Sequence, residues 1–122
     1  MAPLVPVSIV ITNYNYERFV GAAIESALDQ GPGVEVVVVD DGSTDDSSRI
    51  LARYHGRVRL VLQDNGGQGS AFNAGFEAAT GELILLLDAD DVLLAGSVVR
   101  VREAAAADHL ERMEKHDRPG IG

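Results

Sequence analysis

The chain of 122 residues carries ten basic against nineteen acidic side chains, a formal charge of −9, and its pI is near 4.6. That balance argues against nucleic acid and anionic membrane as partners, because both require a basic face. The absence of cysteine excludes disulfides, thiolate nucleophiles and thiolate-bound zinc, and makes a reducing compartment, the cytoplasm, the expectation. The length suits one domain over residues 1–122, and 46% hydrophobic residues suffice for a core without staples. No apolar run approaches the ~18 residues of a bilayer span, and the first ten residues lack the basic stretch and cleavage site of a secretory signal. No integral membrane segment is therefore expected.

In chain order, a short apolar run, a polar turn and a helical stretch recur four times. Residues 7–11 (Val-Ser-Ile-Val-Ile) read as a buried strand that ends in Thr12-Asn13-Tyr14-Asn15. Phe19, Val20, Ala23, Ile24, Ala27 and Leu28 follow at helical spacing, and Gly31-Pro32-Gly33 stops that helix. The valine-rich residues 34–39 form a second strand, ended by Asp40-Asp41-Gly42. Ser43 or Thr44 then supplies an N-cap, with Asp45 and Asp46 in the first turn of a helix reaching about Tyr54. Residues 58–62 are a third strand. Asn65-Gly66-Gly67-Gln68-Gly69 leads into a helix whose Phe72, Phe76 and Ala79 make an apolar stripe expected to face the core. Residues 83–87 are the most apolar strand, so a central place in the sheet is expected, and they run into Asp88-Ala89-Asp90-Asp91. A last helix over 97–115 places Leu94, Val98, Val101 and Ala105 on one face, and residues 116–122 read as a frayed tail.

Alternation of apolar strands with helices predicts a parallel sheet covered on both faces. Ligands of such sheets bind outside the carboxyl ends of the strands. Every chemically suggestive group here follows a strand, so the topology brings them to one rim. The charge is concentrated there too. Without Asp40, Asp41, Asp45, Asp46, Asp88, Asp90 and Asp91, twelve acids face ten bases, a nearly neutral remainder.

Two readings compete for each cluster. Asp-rich turns cap helices, and Asp-Gly is itself a turn signal. Alternatively, carboxylates gathered at one rim hold a hard divalent ion, which takes oxygen ligands from one or two carboxylates and from substrate phosphates. Tyr14 is either a stacking platform for a base or a tyrosine closing a loop, with Thr12 and Asn15 as hydrogen-bonding neighbours. The turn at residues 65–70 either admits a phosphate to a helix start or is a flexible entry. It is no P-loop, lacking Gly-Lys-Ser/Thr, and no dinucleotide fingerprint, because Phe72 replaces the third glycine. His55, His109 and His116 are read as solvated.

Four segments in this order, Val-Ser-Ile-Val-Ile-Thr-Asn-Tyr-Asn-Tyr, Val-Val-Asp-Asp-Gly-Ser-Thr-Asp, Asn-Gly-Gly-Gln-Gly-Ser-Ala-Phe-Asn-Ala-Gly and Leu-Asp-Ala-Asp-Asp, closely resemble family 2 glycosyltransferases of the GT-A fold. The resemblance implies a Rossmann-like α/β fold with strand order 3-2-1-4 and a first half that binds a nucleoside diphosphate sugar, usually a UDP-sugar. Carried over, Thr12 and Tyr14 contact the nucleobase, Asp41 hydrogen-bonds it with Asp40 beside it, and Asn15, Asn73 and Ala89 complete the donor site. Asp90 is then the firmest ligand of Mn²⁺ or Mg²⁺, with Asp88 nearer the ribose or the ion.

Phe72 departs from the arginine of many relatives, so any contact from that arginine is lost. The resemblance also implies that the acceptor half and its carboxylate base are absent, the catalytic residue is unassigned, and the chain alone is inactive. Self-association through an exposed fourth-strand edge then follows as an expectation. A non-catalytic nucleotide-binding or assembly module is the alternative. A receiver-like signalling domain is weaker, because receivers place acids after the first and third strands and a lysine after the fifth, whereas the only lysine here is Lys115.

Overall fold

The computed structural model describes residues 4–117, with side chains through His109. Its elements are β1 (Val7–Asn13), α1 (Val20–Leu28), β2 (Val34–Asp41), α2 (Ser47–Ala52), β3 (Arg59–Gln63), α3 (Gln68–Ala78), β4 (Leu83–Asp88) and α4 (Ser97–Asp117). The four strands form one parallel sheet in the order β3-β2-β1-β4, as the resemblance implies. The register sets the rim: Asn13 stands opposite Asp40, Thr12 opposite Asp88 and Asp41 opposite Gln63.

β1 is buried along its whole length because it lies between two strands and under helices on both faces. Ile9, Ile11, Val36, Val38 and Leu87 point to one face, where Val20, Ile24 and Ala27 of α1, Leu51 of α2 and Val98 of α4 cover them. Val10, Val37 and Val39 point to the other face, where Ala71 of α3 meets them. Fully burying one such aliphatic side chain contributes roughly 1.5–3 kcal/mol, so β1 and β2 anchor everything mounted on their ends. Gln30 joins the end of α1 to the start of α4: its amide N–H groups donate to Ser26 O at 3.1 Å and Leu94 O at 3.0 Å. Its Oε1 accepts from Val98 N at 3.0 Å.

Several expectations are corrected. β4 is at an edge of the sheet among the described residues, not at its centre, and Leu86 is 46% exposed. Leu83, Leu85 and Leu87 serve the α1 face, whereas Ile84 and Leu86 point to the α3 face, where Ile84 is packed and Leu86 is left exposed. Phe76 is likewise exposed, and Phe72 is only partly buried. The inner face of α3 carries Ala71 and Gly75 instead, because the helix lies so close on β1 and β2 that a Cβ at Gly75 would collide with Val10. Leu94 is 73% exposed and precedes α4, so it does not share the buried face of Val98. Neither Ser43 nor Thr44 caps α2, which begins later, after Asp46. Asp91 does not cap α4 either, since that helix starts at Ser97. α4 continues through residues 116 and 117, and the rest of the expected tail, residues 118–122, lies outside the described residues.

Candidate functional site

The carboxyl ends of β1, β2 and β4 and the start of α3 enclose a cavity of about 230 Å³. Thr12 and Asn13 line it from the end of β1 and Tyr14 from just after it, Asp41 from β2, Asp88 from β4, Asn65 and Gly67 from the turn before α3, and Gln68 and Ala71 from the first turn of α3. Tyr16 completes the wall. Of the predicted site residues, Thr12, Tyr14, Asp41 and Asp88 therefore meet in one place.

The others stand behind or outside that wall. Asp40 is 7% exposed, and its Oδ1 accepts from Asn13 Nδ2 at 2.9 Å and from the Ser43 hydroxyl at 2.7 Å. Asn15 takes a positive φ of 58°, and its Oδ1 accepts from the backbone N–H of Thr44 at 2.7 Å and of Asp45 at 3.2 Å. Both residues bind the β1 turn to the β2 turn. Ala89 is buried, and its N–H donates to Thr12 O at 3.0 Å. Asn73 and Asp90 are exposed and do not line the cavity.

Asp41 is 3% exposed and fully engaged. Its Oδ1 accepts from Gln63 Nε2 and Gly66 N, each at 2.8 Å. Its Oδ2 accepts from Gly67 N at 3.0 Å and Asn65 Nδ2 at 3.3 Å. Burial pushes this carboxyl group up, but the hydrogen bonds from Gln63, Gly66 and Gly67 outweigh it and hold the group below its ordinary value. Asp45 behaves alike: burial is outweighed by hydrogen bonds from Ser47 and Glu17. Gly42, at a φ of 74°, makes the tight turn that lets Asn65 approach.

The β4 end is more open. Asp88 Oδ2 accepts from Gln68 Nε2 at 2.8 Å across the mouth of the cavity. The charges of Asp90 and Asp88, together with burial and Asp91, raise the Tyr16 hydroxyl above its ordinary value. That shift reports a concentrated negative field at the β4 tip. Among the described residues no group of three or more His, Asp or Glu side chains is placed to hold a metal ion. Asp88, the cavity carboxylate with a single partner, fits one place in the oxygen shell of a hard divalent ion, whose remaining ligands phosphate oxygens would have to supply.

The profile of the glycosyl transferase family 2 matches residues 8–111. The chain belongs to that family. An uncharacterized glycosyltransferase, alr2836 of a Nostoc species, is 40% identical over an alignment of 124 residues, gaps included, that covers 92% of this chain and 38% of that protein. The chondroitin synthase of Escherichia coli is 45% identical over 91 residues, covering 71% of this chain and 13% of that enzyme. Among solved structures, S. aureus TarS in complex with UDP-GlcNAc superposes with a TM-score of 0.70 at 31% identity, over 85% of this chain and 32% of that one. A mannosyltransferase from Pyrobaculum calidifontis in complex with GDP-Man and Mn²⁺ gives 0.67 at 27% identity, over 79% of this chain and 31% of its own. This family 2 chain thus has the GT-A fold and spans roughly a third of the length of alr2836 and of the two solved structures, and far less of the chondroitin synthase. The receiver-like alternative is set aside.

Sequence reasoning passed over Asn13, Tyr16 and Ala71 as cavity residues. Asn13 lies between Thr12 and Tyr14, and Tyr16 directly follows Asn15, so proximity in sequence was a usable signal. No helix of the described residues is long and apolar enough to cross a membrane.

Proposed function

We propose that the chain is the donor-binding part of a family 2 glycosyltransferase, taking a nucleoside diphosphate sugar, a UDP-sugar first, together with Mn²⁺ or Mg²⁺. The observation that carries this reading is the convergence of Thr12, Tyr14, Asp41 and Asp88 on one cavity at the carboxyl ends of the strands. The relatives bound to UDP-GlcNAc and to GDP-Man with Mn²⁺ support it.

In this reading the Tyr14 ring, 44% exposed at the cavity wall, stacks on the base. Asp88 and Asp90 hold the ion that carries the diphosphate, and Gln68 fixes the carboxylate of Asp88 from across the mouth. A bound divalent cation supplies charge neutralisation for the departing diphosphate. The transfer is an inverting displacement in which an acceptor oxygen bonds to the anomeric carbon as the bond to the diphosphate breaks. The acceptor and the group that takes its proton are left unassigned.

Thermal unfolding with UDP, GDP, dTDP and CDP, each with Mn²⁺ or EDTA, tests the proposal. Stabilisation by UDP that needs Mn²⁺ and disappears in Asp90→Asn supports it; no stabilisation by any of the four contradicts it. A second reading, assembly through the β4 edge with a second copy, is favoured by the open edge and the exposed Leu86. Sedimentation of a monomer at micromolar concentration would sink it.

A further inference from the structure

Residues 89–96 run from the end of β4 to the start of α4 without helix or strand, and they carry Asp90 and Asp91. Asp88 still belongs to β4, where pairing with β1 holds its backbone. Asp90 lacks that support. Asp90, Asp91 and Val92 are all exposed, so packing does not fix this part of the loop.

Hydrogen bonds at its two ends do. On the β4 side, the N–H of Ala89 donates to Thr12 O at 3.0 Å, and that of Asp91 closes a turn on Asp88 O at 2.9 Å. On the far side the ties come from α1 and the residues just after it. The N–H of Leu93 donates to Ser26 Oγ at 3.0 Å, and the Ser26 hydroxyl donates onward to Ala23 O at 2.7 Å. Gln30, 7% exposed, holds the next residues. Its Nε2 donates to Leu94 O and Ser26 O, and its Oε1 accepts from the Val98 N–H. Turning the amide over would set Oε1 against two carbonyl oxygens, so the contact requires an amide in this orientation.

α4 has anchors of its own. Val98 is buried against the sheet, and the Arg102 guanidinium donates to Val5 O, Pro32 O and Gly33 O. What Ser26 and Gln30 add is a fixed course for the backbone between Asp90 and α4.

Resting on the donor-site reading above, in which Asp88 and Asp90 share an ion, we infer that Ser26 and Gln30 are positioning residues for Asp90. They touch neither ion nor nucleotide, and act by holding the loop so that Asp90 stays in register with Asp88. Small hard cations demand near-ideal placement of their oxygen ligands. A loop that is already ordered loses less freedom when it binds. Groups that orient metal ligands in this way are typically worth 10- to 100-fold in metal affinity. The lower end applies here, because the Leu93 side chain also packs against the core.

The experiment titrates UDP, in Mn²⁺, into the full chain of wild type, Ser26→Ala, Ser26→Thr and Gln30→Met. Affinity is expected to fall roughly tenfold in Ser26→Ala and Gln30→Met, and to return in Ser26→Thr, which keeps the hydroxyl. Paramagnetic broadening by the bound Mn²⁺ separates positioning from stability. In wild type it reaches the backbone amides of both Asp88 and Asp90; in Ser26→Ala it persists at Asp88 and weakens at Asp90. If Gln30→Met fails to fold, the two Ser26 variants decide. Wild-type affinity and unaltered broadening in Ser26→Ala, whatever its unfolding midpoint, overturn the assignment while leaving the donor site intact. Failure of wild type to bind UDP in Mn²⁺ overturns the donor-site reading and this assignment with it.

Discussion

The two acidic clusters look alike in sequence and differ in what their carboxylates are doing. At the end of β2, Asp40 and Asp41 are buried, and together with Asp45 they accept hydrogen bonds from the turns after β1, β2 and β3. At the end of β4, Asp90 and Asp91 are exposed, and Asp88 has one neutral partner, Gln68. The first cluster therefore builds a wall, and the second keeps its charge available. The difference comes from the donors nearby. Glycine N–H groups, Gln63, Asn65 and Ser43 surround the β2 end, whereas the β4 tip stands at the edge of the described sheet.

The sharpest way to break this comparison is Asp41→Ala, which leaves the N–H donors of Gln63, Asn65, Gly66 and Gly67 without their acceptor at once. It should cost about 3 kcal/mol in urea unfolding, more than a typical surface change. Asp45→Ala removes acceptors for the N–H groups of Ser47 and Glu17 and should cost about 1 kcal/mol by the same measurement. Asp90→Ala should leave unfolding within about 0.5 kcal/mol of wild type, because its side chain is exposed. A loss at Asp90 as large as that at Asp41 would erase the distinction between wall and open charge.

Acid sharpens it further. Asp41 and Asp45 have folded values below the ordinary carboxylate value, so the unfolded chain binds more protons at low pH. Their stabilisation is complete above about pH 4 and is lost as pH falls through their folded values. The urea midpoint should therefore drop below about pH 4, and it should drop less steeply in Asp41→Asn, which no longer titrates there.

Much of this was legible from residue types. The β-branched runs of β1 and β2 announce strands buried on both faces, and the placing of polar groups after each strand announces the rim. Pattern failed where burial is decided by shape. The stripe of Phe72, Phe76 and Ala79 is the more hydrophobic face of α3, yet Ala71 and Gly75 face the sheet because close approach to Val10 requires small residues. Leu86 reads as core by composition and is left open because α3 lies over β1 and β2. The fate of each aspartate was illegible for another reason. Asp41 meets Gly66 and Gly67 only through the pairing of β2 with β3, and Asn13 meets Asp40 only through the register of β1 on β2. Spacing along the chain carries neither fact.

The most direct measurement is a calorimetric titration of UDP into the chain, with Mn²⁺ and then with EDTA, for wild type, Asp88→Asn and Asp90→Asn. The account predicts binding by wild type that depends on Mn²⁺, weakened at least tenfold in both variants while their unfolding is unchanged. Equal binding of UDP by all three proteins, with or without Mn²⁺, would contradict it.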